Sequence, residues 1–207
     1  MAFIMYMDAI QKRQLGELNY VCPESLLRSI QPMMEAIRQR PEAAKSLSKE
    51  CLEKYHGGSL ASMLKHILAK QMAGFHVEIS IHAKEFEDSD CVIRAVIGDG
   101  DTYYKLVQLK HLPCHEVNDE SDIQVTIEKL KYKYAGRIVS IWINRNIELN
   151  FKQLRLDGLQ AEQLWFFGDY LENTVLATSL RGGFVVDLTA GIWREAIMRN
   201  GKIQISN

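Results

Sequence analysis

The hydrophobic period of this chain changes at Gly74, and that change limits what it can fold into. Ahead of it, apolar residues return every three or four positions. Leu60, Met63, Leu64, Ile67, Leu68 and Met72 line one helical face, with Lys65, His66 and Lys70 outside it. From Phe75 onward the period is two and β-branched residues become frequent, the pattern of half-buried strands. Helical stripes followed by alternating strands are buried most simply by laying helices on a sheet, so an α/β class is expected. Strands are expected over residues 76–83, 91–98 and 102–109, the last two joined by the turn Gly98-Asp99-Gly100-Asp101. A helix over 121–135 follows, with Ile123, Ile127, Leu130 and Tyr134 on one stripe, and then a nearly all-apolar strand over 138–143. In the tail, 164–167 reads as a buried strand whose aromatic residues are core, 174–180 and 184–188 as a hairpin, and 202–206 as a last strand.

Residues 1–74 read as helical throughout, punctuated by Pro23, Pro32 and Pro41. Pro41 suits a first helical position, the Gly57-Gly58 pair stops that helix, and Ser59 caps the next one. The organisation expected is a helical N-terminal annex over 1–58 and an α/β domain over 59–207. A length of 207 residues buries a core without disulfide or metal staples. The four cysteines form no CxxC pair, which points to a reduced, cytoplasmic protein. The apolar start, 1–7, has no basic residue ahead of it, so no signal peptide is expected. No apolar run reaches the roughly 18 to 20 residues of a membrane helix.

With 25 basic residues against 26 acidic ones, the chain is no polycation, and a nucleic acid must be held by a local patch. Lys129, Lys131, Lys133 and Arg137, interleaved with Tyr132 and Tyr134, are the candidate patch; a solvated helix face is the alternative reading. His111, Cys114 and His115 lie within five residues and offer part of a zinc site, against the plainer reading of loop histidines. There is no GxGxxG, Walker loop, GxSxG or HExxH pattern.

The strongest chemical constellation lies on the hairpin: Asp90 at the mouth of one strand, and Gln108 with Lys110 late on the next. Gln108 and Lys110 share a face because strand side chains alternate. Asp90 joins that face if a three-residue loop pairs Gly98 with Thr102, but not if a two-residue turn pairs Gly98 with Asp101.

Ser89-Asp90, the hairpin turn and Val107-Gln108-Leu109-Lys110, set in the order helix, three strands, helix, strand, resemble the PD-(D/E)XK nuclease superfamily in its Mrr-like QxK variant. The resemblance covers roughly residues 59–145. It implies a restriction-endonuclease-like mixed sheet core with flanking helices. It also implies a metal-dependent DNA endonuclease in which Asp90 and Gln108 bind Mg²⁺ or Mn²⁺ and Lys110 orients water or steadies the transition state. The expected catalytic set is therefore Asp90, Gln108 and Lys110, with DNA as partner. Ser89 replaces the family's proline, Gln108 is neutral, and the helix read over 59–74 has no acidic residue where many members carry a glutamate. Glu78 and Glu85 are the nearest substitutes. A second function follows from those departures: a catalytically inactive nuclease-fold interaction or regulatory subunit, working as a homodimer or with a protein partner.

Overall fold

The computed structural model describes residues 7–39, 49–81, 86, 88–98, 100–112, 122–144, 154–171, 174–179, 182–187, 192–199 and 202–205. The chain is mixed α/β and divides into two compact units, Met1–Val107 and Gln108–Asn207.

In the first unit, three helices precede the strands: α1 (Ala9–Gly16), α2 (Pro23–Gln39) and α3 (Lys49–Ala69). Asp8 caps α1 in a reciprocal pair with Gln11, accepting from the Gln11 N–H at 2.7 Å. Pro32 lies inside α2 and does not end it. Nor do Gly57 and Gly58 break α3, which runs through both glycines and through the expected boundary at 58/59. The reason is packing. A Cβ on Gly57 would lie 3.1 Å from Ile79 and 3.2 Å from Ile81, and one on Gly58 would lie 3.1 Å from Leu27 of α2. The glycines let α3 sit close to a sheet on one side and to α2 on the other, and that burial outweighs roughly 1 kcal/mol of lost helix propensity each. The helix start expected at Pro41 lies outside the described residues.

Strands β1 (Phe75–Ile81), β2 (Cys91–Ile97) and β3 (Asp101–Leu112) pair antiparallel in order. The register of β2 and β3 is neither of the two expected. Ile97 pairs with Asp101 and Val96 with Thr102, so the loop has three residues, 98–100, and starts one position earlier. Gly98 and Gly100 take positive φ there, +54° and +125°. Odd-numbered residues of β1 and β2 face α3. The even-numbered side carries Val92 and Leu106, packed with Met7 and with Leu15 of α1. On that side Arg94 donates to Glu78 at 2.9 Å and lies 3.9 Å over the Tyr20 ring.

In the second unit β3 ends, α4 (Ile123–Leu130) and β4 (Ile138–Ile143) follow, and β5 (Gln163–Leu171) lies parallel to β4. α3 lies in the first unit and α4 in the second. Asp122 caps α4, its carboxylate accepting from the Val125 N–H at 2.9 Å. The helix stops at Leu130, short of the expected 135, because Tyr132 and Tyr134 both take left-handed φ, +59° and +58°. Ile127 and Leu130 pack on Val139, Ile141, Leu164 and Phe166, with Leu112 of β3 in the same core. Trp165, Phe166 and Phe167 are buried, as their composition predicts. From β5 onward the pairing is antiparallel through β6 (Thr174–Ser179), β7 (Gly182–Asp187), β8 (Ile192–Arg199) and β9 (Lys202–Ile205). β8 was not expected, since neither of its alternating sets is apolar: Arg194 interrupts one and Glu195 the other.

Candidate functional site

The site of interest in the first unit is built where α3 meets the start of β2. Gly57 rests over Cys91, a Cβ there lying 3.4 Å from the Cys91 sulfur. Glu53, one turn earlier on the same helical face, is only 3% exposed. Its Oε1 is buried and accepts no hydrogen bond among the described residues, although the exposed Lys49 ammonium stands 3.4 Å away. A buried carboxylate is costly unless it is paired, hydrogen-bonded or bound to a cation, and the ion pair with Lys49 is screened because that ammonium is exposed.

Asp90 is half-buried at a bend just before β2. The ladder ends with Cys91 opposite Val107, and the Asp90 N–H donates to that same Val107 carbonyl at 3.0 Å. This offset bond turns the chain out of the pleat at Asp90. Cys91 between the two acids records both: burial pushes its thiol well above the ordinary value, and the carboxylates of Asp90 and Glu53 push it further the same way. Cys91 is thus within electrostatic reach of two carboxylates, Glu53 on the helix and Asp90 at the strand mouth. No group of three or more His, Cys, Asp or Glu side chains is placed for a metal among the described residues. The arrangement suits an ion such as Mg²⁺, which takes one or two carboxylates and completes its shell with neutral oxygens and waters.

Comparison with protein-family models, curated proteins and solved structures finds no match.

Gln108 and Lys110 belong to the second unit, where β3 continues beyond Val107. Gln108 is buried, at 3% exposure, and Lys110 is half-buried. The Lys110 amine lies 5.5 Å from the centroid of the Tyr134 ring, and the Arg137 guanidinium lies 5.6 Å from the same centroid. Of the expected basic patch, Lys129 and Lys133 are exposed, while Lys131 donates to Glu128 at 2.9 Å. That bond from Lys131, with a second from Gln124, holds the Glu128 carboxyl below its ordinary range. Glu78 is taken up by Arg94, which removes it as a substitute helix glutamate, and Glu85, Cys114 and His115 lie outside the described residues.

Glu53 is the residue that the sequence reading missed. Ending a helix at the double glycine put Glu53 on a separate element. The signal was present, because Glu53, Gly57, Leu60 and Leu64 form a single helical stripe once glycine is accepted as a close-packing residue.

Proposed function

We propose that this chain is a metal-dependent DNA endonuclease of restriction or defence type, hydrolysing phosphodiester bonds with Mg²⁺ or Mn²⁺ held by Glu53 and Asp90. The observation that carries the reading is the buried Glu53 carboxylate, whose Oε1 accepts no hydrogen bond among the described residues and whose charge, like that of Asp90, is felt at Cys91. Its ion pair is made with the exposed Lys49, and a buried carboxylate so placed favours a further cation. The order α3, β1, β2, β3, α4, β4 supports the reading, being the helix, three strands, helix and strand on which the family resemblance rests. When bound, the divalent ion would polarise the phosphodiester and make its water more acidic. Glu53 and Asp90 bind that ion. The resemblance assigns Gln108 a neutral oxygen ligand's role, and it assigns Lys110 the steadying of negative charge that develops on the phosphate.

One observation favours the second reading, an inactive nuclease-fold interaction subunit. The Lys110 amine is already engaged over the Tyr134 ring. Supercoiled plasmid incubated with Mg²⁺ separates the readings. Wild-type protein is expected to nick it, and Asp90→Asn and Lys110→Ala are expected to slow nicking by about 10²-fold or more while melting at the wild-type temperature. No cleavage of DNA or RNA with either metal, together with no calorimetric metal binding, supports the interaction subunit instead.

A further inference from the structure

The stretch after α4 presents an aromatic ring in an unusual way. Tyr132 is 76% exposed, by far the most exposed aromatic side chain among the described residues, yet its position is fixed. Its N–H donates to the Gly158 carbonyl at 2.9 Å, and its phenol end rests on Gly158 so closely that a Cβ there would come within 2.8 Å of the ring. Gly158 itself takes φ +84°, so any other residue would be strained there as well as crowded. Tyr132 and Tyr134 are both left-handed, a conformation that bulky residues rarely adopt and that clusters where a surface is shaped for a ligand. The two rings differ in use: Tyr134 lies beside the Lys110 and Arg137 cations, while Tyr132 is left to solvent.

The charge around the ring is one-sided. Over 128–137 and 155–158 there are five cations, Lys129, Lys131, Lys133, Arg137 and Arg155, against the carboxylates of Glu128 and Asp157. Glu128 is already engaged by Lys131 and by Gln124, at 2.9 and 2.8 Å, and Lys129, Lys133 and Arg155 are exposed. An exposed aromatic held on backbone, with the exposed cations Lys129, Lys133 and Arg155 within three residues of Tyr132 or Gly158 in the chain, matches what an unpaired nucleotide needs: a π-face for the base and positive charge for the phosphates on either side. A duplex keeps its bases stacked on one another and offers no free face.

We propose that Tyr132, held on Gly158, is a stacking platform for an unpaired base, and that the exposed cations around it bind the backbone of single-stranded DNA. The choice of DNA rests on the endonuclease reading; the platform does not require catalysis. The test is fluorescence anisotropy with a labelled oligothymidine, run on the full chain in EDTA at low salt, so that cleavage plays no part. Tyr132→Ala is expected to weaken binding about 5-fold to 100-fold, the usual value of one stacked base. Tyr132→Trp, which preserves a π-face, is expected to bind as tightly as wild type. Gly158→Ala, which displaces the ring, is expected to weaken binding, and a duplex of equal length is expected to bind less tightly than the single strand. The salt dependence is expected to follow a log–log slope of about −2, as three contacted phosphates give on a single strand. Tryptophan as damaging as alanine, alanine without effect, or no binding of the oligomer would overturn the proposal. A protein that binds in EDTA but never cleaves with Mg²⁺ loses the endonuclease reading alone.

Discussion

Cys91 is where the packing of the first unit and its electrostatics meet. The side chain is fully buried on β2 against Gly57 of α3 and has carboxylates at Asp90 and Glu53, all of which favour the neutral thiol. Its folded pKa is therefore above the unfolded value of about 9. The sign follows from proton linkage: the stabilisation is fully present below pH 9 and is lost as the pH rises from there through the raised folded value. Tyr20, raised first by burial and then by Tyr104, adds to the same alkaline loss. Urea midpoints of the wild type are expected to hold through neutral pH and fall above about pH 9, and Cys91→Ala is expected to fall less steeply over that range. Identical slopes in the two proteins would contradict this account of the Cys91 environment.

Among the elements, α3 carries the most consequence, because it brings Glu53 to β2 by way of a glycine. Gly57→Ala gains up to about 1 kcal/mol of helix propensity, but it places a methyl 3.1 Å from Ile79. The two effects oppose, and a nearly unchanged melting temperature is expected. Gly57→Val adds a branched group with nowhere to go and is expected to cost about 1–3 kcal/mol by overpacking, read as a lowered denaturation midpoint at an unchanged m-value. A stabilised valine variant would mean that α3 does not lie against β1 as described. The same helix marks how far the sequence could be read. The strands β1 to β3 were legible from period-two alternation and β4 from its continuous apolar run, both local properties of the chain. Gly57-Gly58 read as a stop because intrinsic propensity is local too, while the close contacts that retain these glycines in a helix are made with Leu27, Ile79 and Ile81, distant in sequence. The hairpin loop was recognised but begins one residue earlier than expected, and β8 was invisible because its two faces mix apolar and charged residues. Of the candidate site, Asp90 was legible as the acid at a strand mouth, and Glu53 was not.

For the molecule as a whole, a formal charge of −1 makes no general case for a polyanionic partner, so function has to rest on local arrangements. Such an arrangement is present in each unit: two carboxylates around Cys91 in the first, and exposed cations with Tyr132 in the second. In the proposed site Glu53 and Asp90 share one divalent cation. It is tested most directly by growing crystals of the full-length chain in Mn²⁺ and computing an anomalous difference map at the manganese edge. The account predicts a peak about 2.0–2.3 Å from a carboxylate oxygen of each residue, reduced or lost in Glu53→Gln crystals. A map in which Mn²⁺ occupies other sites, while this pair holds none at saturating metal, would contradict it.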